Sequence, residues 1–240
     1  MSTRTRMEPW SGHAFDGQPH ERARQVVRPT GGIVRGKFPS RKNGRMVHHE
    51  GMLELDAIFL FEASPRILEY REQPITIIYP DGPRLRRYTP DFELTLCTGE
   101  GVLIEVKPRS RLVDAAIQHK LNCITTYLRR SGKRFVILDD TTLRLEPRQS
   151  NLRDIYHRAS RVRQTMAAYR AALDRYASQF PLSISSALRI FGNSKIDPYS
   201  MLLVGLLHCD LEQPITHDTP LHLTKEGDDA WFCITPGYDF

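Results

Sequence analysis

Apolar positions along the chain change period several times, and each change marks an element. Between 52 and 62, Leu53, Ala57, Phe59, Leu60 and Phe61 give a broad apolar surface, which predicts a short amphipathic helix with Glu54 in its first turn. The helix stops near Ala63-Ser64-Pro65. A strand at 75–79 then runs into the turn Pro80-Asp81-Gly82-Pro83, and 84–88 returns. Two further strands follow. One opens at Asp91, just after Pro90; the other is the apolar run Val102-Leu103-Ile104, ending in Glu105-Val106-Lys107. Thr98-Gly99-Glu100-Gly101 is the turn between them. Leu112, Ala115, Ala116, Leu121, Ile124, Thr125 and Leu128 keep a helical period until Ser131-Gly132, and a strand at 135–138 ends in Asp139-Asp140. Strand, helix and returning strand make an α/β unit, with the helix on one face of the sheet.

The pattern changes near Glu146-Pro-Arg-Gln-Ser150. Beyond it Ile155, Ala159, Val162, Met166, Tyr169, Leu173 and Tyr176 alternate spacings of four and three, which predicts one helix over 151–176 with an arginine-rich outer face. Helices at 182–191 and 198–208 and two short apolar segments, at 220–224 and 230–234, complete the chain. Helix, helix and hairpin is the grammar of a winged helix. The expected organisation is therefore an α/β domain over 1–150 and a smaller, mainly helical, winged-helix-like domain over 151–240, each with its own role.

Strand residues two apart share a face, so Glu105 and Lys107 lie on one side, and the turn at 98–101 returns them beside Asp91. Two carboxylates and an ammonium at one hairpin end suit a hard divalent cation such as Mg²⁺, and a lysine there can orient or deprotonate a water. That is the chemistry of metal-dependent nucleases. The tripeptide alone says little, because alternating charges on a strand usually form a solvated face. Here the charges end an apolar run that reads as buried, where they need partners. Glu54 is the matching upstream acid, although the helix dipole alone would favour a carboxylate there. Asp139 and Asp140 are rival ligands by position, better read as caps of the following turn.

Charge and composition narrow the class. The 240 residues are 40% hydrophobic, enough for one sizeable core or a core with a satellite, and no apolar run approaches the roughly 20 residues of a membrane span. No signal-peptide pattern opens the chain, and Cys97, Cys123, Cys209 and Cys233 have neither CxxC pairing nor metal-ligand spacing, so free thiols and a cytoplasmic setting are expected. Residues 1–50 hold ten Lys/Arg against four Asp/Glu, which equals the +6 net charge of the whole chain. Within the stretch 28–45, Arg35, Lys37, Arg41, Lys42 and Arg45 suit a phosphate-tracking arm; a solvated basic loop is the alternative. His48 is a further candidate for a phosphate contact. No Ser/His/Asp order, Walker loop or zinc spacing is present.

Five ordered strings carry a resemblance: Arg45-Met-Val-His-His-Glu50, Met52-Leu-Glu-Leu-Asp56, Glu69-Tyr-Arg-Glu-Gln-Pro74, Tyr88-Thr-Pro-Asp-Phe92 and Ile104-Glu-Val-Lys-Pro108. Together they resemble the TnsA endonucleases, subunits of heteromeric cut-and-paste transposases. The resemblance covers roughly residues 25–145. It implies a restriction-endonuclease-like mixed sheet flanked by helices. It places the family's catalytic set on Glu54, Asp91, Glu105 and Lys107, with Glu54, Asp91, Glu105 and the Val106 carbonyl as metal ligands. The best-known member carries an amide where this chain has Glu105, a change that adds negative charge and favours a cation. The implied cofactor is Mg²⁺, with Mn²⁺ as substitute. The implied activity is cleavage at the 5′ ends of a transposon by metal-activated water. The implied partners are double-stranded transposon-end DNA, a TnsB-like transposase and a TnsC-like ATPase regulator, in a bacterial, nucleoid-associated setting. A stand-alone restriction or repair nuclease and a catalytically silent DNA-binding or assembly module are the alternatives.

Overall fold

A computed structural model describes residues 20–23, 34–192, 196–225, 231–235, 237 and 240. A hairpin of β1 (Gly36–Ser40) and β2 (Arg45–His49) precedes α1 (Met52–Ala63). Four strands form the central sheet: β3 (Ile67–Glu72), β6 (Phe92–Leu96), β7 (Gly101–Val106) and β8 (Arg134–Leu138). A second hairpin, β4 (Ile77–Asp81) and β5 (Arg84–Tyr88), is inserted between β3 and β6. The sheet order is β3-β6-β7-β8. The first two pairings are antiparallel and β7–β8 is parallel. A parallel pair needs a crossover, supplied here by α2 (Arg109–Leu112) and α3 (Ala115–Arg130). The result is the expected mixed α/β architecture, consistent with a restriction-endonuclease-like fold.

The two faces of the sheet bury different residues, and this decides where the charges go. Val102, Ile104 and Val106 of β7 and Phe92, Leu94 and Leu96 of β6 point into the large core that also holds α1. Leu103 points the other way, against Ile124 and Leu128 of α3 and Ile77, Tyr79 and Tyr88 of the β4–β5 hairpin. By the period of two, Glu105 follows Leu103 onto this second face.

Helix α1 differs from the expected amphipathic form. Every residue from Asp56 to Ala63 is buried, because α5 (Arg148–Arg158) and the β1–β2 hairpin cover the side that would otherwise face water. Asp56 lies 2% exposed and is held by Arg144 at 2.7 Å and by Arg153. Glu62 is a second buried acid. It accepts from Ser40 Oγ at 2.5 Å, Tyr70 Oη at 2.7 Å and the amides of Arg41 and Lys42.

The predicted helix at 112–131 starts later. Asp114 breaks the run at Val113 and caps α3 by accepting from the Ala116 and Ile117 amides. Asp139 accepts from the Thr141 amide as cap of α4 (Asp140–Leu143), and Asp140 accepts from the Arg109 amide at 2.5 Å, so both act as local acceptors. The single helix expected over 151–176 is two. Helix α5 ends at Arg158, and α6 (Met166–Tyr176) begins after a Thr165 cap. The unbroken apolar period spans a bend because Ala159 and Tyr169 pack into one core from separate helices.

After α6, a 3-10 turn (Ala177–Gln179) leads to β9 (Leu182–Ser183), α7 (Ile184–Phe191), α8 (Pro198–Leu203), β10 (Leu207–His208) and β11 (Pro220–Leu223). In this segment of two helices and a sheet, the antiparallel strands run β10-β11-β9. Its second helix faces inward: Pro198 to Met201 of α8 are buried, and the helix packs on α5 and α1. Leu152 and Ile155 of α5, Met201 of α8 and Phe232 share one buried cluster with α1.

Replacing Glu62 by alanine strands two hydroxyl donors and two amides in the core and removes the charge facing Lys42. We expect a loss of roughly 3 kcal/mol, read as a lower urea midpoint with an unchanged slope. A midpoint within error of the native chain would show that the cluster contributes nothing net.

Candidate active site

Asp91 stands between the β4–β5 hairpin and β6, beside the end of β7. Its Oδ2 accepts from the Val106 amide at 2.7 Å, which ties the acid to the last residue of the neighbouring strand. Glu105 is 3% exposed. Its two oxygens are divided: Oε2 accepts from Tyr88 Oη at 2.6 Å, and Oε1 pairs with Lys107 Nζ at 3.0 Å. Glu54 comes from the first turn of α1 on the other side of the sheet, and its Oε2 accepts from the Glu50 amide at 2.7 Å. All four predicted catalytic residues line one open cleft of about 470 Å³, with Glu50, Thr76, Arg87, Tyr88, Thr89 and Lys120 also on its walls.

Crowding carboxylates in a buried place moves their protonation. Burial, then the charges of Glu50 and Glu105, push Glu54 up to about 7, against the Glu50 amide and Lys107. Asp91 rises well above the ordinary carboxylate range through burial first and then the charges of Glu105 and Glu54. Burial works against the Lys107 ammonium, but the Glu105 carboxylate beside it outweighs that, with Asp91 and Glu54 adding, and its pKa goes up. Lys107 is therefore a charged donor at neutral pH in the metal-free protein. It can orient a water, whereas deprotonating one would need those carboxylate charges neutralised.

The donor set fits a hard divalent cation. Three carboxylates line the cleft, and oxygen ligands of this kind are what such a cation prefers. No histidine or cysteine is among the described lining residues.

Residues 64–140 match the family model of the TnsA-like endonuclease N terminal. This supports the resemblance to the TnsA endonucleases, and an endonuclease of the transposase family. The matched span runs from the end of α1 to the start of α4 and contains Asp91, Glu105 and Lys107; Glu54 lies ahead of it. None of the curated proteins compared matches the chain. No described helix is long and apolar enough to cross a membrane.

The basic candidates fare differently from the acids. None of Arg35, Lys37, Arg41, Lys42, Arg45 and His48 lines the cleft. Lys42 is turned inward, with Nζ donating to the carbonyls of Phe61 at 2.9 Å and Ser64 at 2.6 Å. Burial lowers its pKa to about 8, against the Glu62 charge. Arg45 makes a two-pronged pair with Glu72, at 3.1 and 2.8 Å, and Arg41 donates to Ser200 Oγ at 3.1 Å. These three cations hold the first hairpin to the core. Lys37 is exposed and His48 half-buried on that hairpin. The part of the arm over 28–33 lies outside the described residues.

Sequence reasoning missed Tyr88 and Lys120. The Lys120 ammonium lies 5.1 Å from the centre of the Tyr88 ring, whose hydroxyl holds Glu105. Tyr88 sits three residues ahead of Asp91 in one of the quoted strings, so its position was visible and its bond was not. Lys120 lies on the solvent side of α3, and nothing in its local pattern marks it.

A carboxyl whose folded pKa is raised binds its proton more tightly in the native state. Glu54 thus favours the folded chain at low pH and opposes it as pH rises from about 4.5 through about 7. Glu54→Gln should make the metal-free protein more stable than native at pH 8, by on the order of 3 kcal/mol, and leave little difference at pH 4. Thermal unfolding in chelator at both pH values measures this. Equal effects at the two pH values would contradict the crowding described.

Proposed function

We propose that this chain is the metal-dependent DNA endonuclease subunit of a TnsA-like heteromeric transposase. Its substrate would be the phosphodiester at the 5′ ends of a transposon. The observation that carries the reading is the meeting of Glu54, Asp91, Glu105 and Lys107 in one cleft, in a chain whose residues 64–140 match a TnsA-like endonuclease. Glu54, Asp91, Glu105 and the Val106 carbonyl would hold Mg²⁺, or Mn²⁺ in its place. A bound ion would supply a water of lowered pKa and offset phosphate charge.

The protein's own residues do the rest. Tyr88 fixes the rotamer of Glu105 by taking one oxygen, and Lys107 takes the other. The Val106 amide holds Asp91 in place. The Lys107 ammonium, 30% exposed at the cleft, is placed to donate to an attacking water or to a phosphate oxygen. The DNA backbone would track the exposed arginines of β5, Arg84, Arg86 and Arg87, with Lys120 on the facing wall. Lys37 on the first hairpin and Arg35 just before it would be outer contacts.

Residues 1–150 carry the cleft, and residues 151–240 would present the surface for a TnsB-like transposase, a TnsC-like regulator or flanking DNA. Since α8 is buried, contacts of this second part would come from its small sheet and connecting loops rather than from a helix in a groove. The setting would be cytoplasmic, in a bacterial cell.

Asp91→Ala should abolish cleavage in the reconstituted transposition reaction while DNA affinity holds or improves, since a negative charge facing phosphate is lost. Near-native cleavage by the folded variant would contradict the assignment. Neutralising Arg87 and Lys120 together should reduce the slope of log affinity against log salt by up to about 1.8, from two lost phosphate contacts. An unchanged slope would move the DNA path away from this cleft.

A further inference from the structure

Between the tip of the β4–β5 hairpin and α3 lies a second group of potential ligands, apart from the carboxylate cleft. His119 and Cys123 are four residues apart on α3 and so share one helix face, the spacing by which two helical side chains grip one ion. Asp81, at the end of β4, meets them from the hairpin. Asp81 Oδ1 lies 2.8 Å from His119 Nε2 and 4.0 Å from Cys123 Sγ, and the sulfur is 3.7 Å from the same nitrogen. Among the described residues this is the one group of His, Cys and carboxylate ligand atoms gathered within 4.8 Å of one another.

Donor atoms about 2.0–2.3 Å from one ion at tetrahedral angles lie roughly 3.3–3.8 Å apart. The three observed separations bracket that range, so shifts of about half an ångström would close them on an ion. We propose that Asp81 Oδ1, His119 Nε2 and Cys123 Sγ form a site for a thiophilic divalent transition metal of the Zn²⁺ class, with a fourth position open to solvent. This proposal does not depend on the endonuclease reading.

The chemistry balances. Cys123 releases its thiol proton to solvent, and the neutral His119 ring carries its proton on Nδ1, leaving the Nε2 lone pair for the ion. One thiolate and one carboxylate then neutralise the 2+ charge. Sulfur and nitrogen donors select against Mg²⁺, which prefers oxygen. Arg86 Nε donates to the other oxygen of Asp81 at 2.5 Å, which leaves Oδ1 for the ion and orients the carboxylate from behind. The site joins residues 38 and 42 positions apart in sequence. It clamps the hairpin carrying Arg87 and Tyr88 onto the helix carrying Lys120, so it braces two walls of the cleft.

The test uses Co²⁺ as a spectroscopic probe on the full chain, freed of metal by chelator. The native chain should take up one Co²⁺ with a thiolate-to-cobalt charge-transfer band, displaced by Zn²⁺ and unaffected by a large excess of Mg²⁺. Cys123→Ser should abolish the band, His119→Ala should weaken binding at least about tenfold, and Asp91→Asn should leave both unchanged. Cys123 and His119 are not buried, and circular dichroism checks that each variant folds. A folded native chain without the band would overturn the proposal. So would a band that survives Cys123→Ser, which assigns it to another thiol, or one that Mg²⁺ displaces. As a readout without colour, Zn²⁺ added in excess Mg²⁺ should raise the melting temperature of the native chain more than that of either ligand variant; an equal rise in all three also overturns it.

Discussion

Three carboxylates held in one cleft are the constraint around which the site is built. Glu54, Asp91 and Glu105 arrive from a helix, a strand entrance and a strand exit, and each is fixed by a neighbour that is itself fixed. The Glu50 amide holds the first, the Val106 amide the second, and Tyr88 with Lys107 the third. Burial first, and then the like charges, raise the proton affinity of Glu54 and Asp91. A fold keeps such an arrangement at a cost in stability, and the cost is offset when a cation binds.

The surrounding structure serves that placement. Alternation along β7 sends Val102, Ile104 and Val106 into the α1 core, and so turns Glu105 to the face of α3 and the β4–β5 hairpin. The buried acids Asp56 and Glu62 anchor α1 against α5 and the first hairpin, which sets where Glu54 emerges. The C-terminal residues close the other side of α1 by burying α8 against α5 and α1. The acids of the cleft thus rest on elements packed into the core, while its basic lining residues Arg87 and Lys120 are exposed.

Much of this was legible in the sequence. Period-two alternation, a glycine-containing turn and a proline ahead of Asp91 located the central hairpin and the three residues at its end. Ordered strings supplied Glu54, which no local rule could attach to the same site. Long-range pairings were not legible. Arg45 meets Glu72, and Lys42 reaches the carbonyls at the end of α1, internal partners that the basic pattern did not indicate. Burial of α1 on all sides depended on α5, nearly a hundred residues on in the chain. The break between α5 and α6 was hidden because both helices offer apolar residues to one core at spacings that continue across the bend. The grouping of His119 and Cys123 was not legible either, since the partner that completes it, Asp81, comes from a different element.

The most direct measurement is a crystal of the full chain soaked in Mn²⁺ and read by anomalous scattering. The account requires a manganese peak in the cleft, within coordinating distance of Asp91 and Glu105, that is missing from Asp91→Asn crystals of the same form. An empty cleft in crystals that bind manganese elsewhere, or a peak that persists without the Asp91 carboxylate, would contradict it.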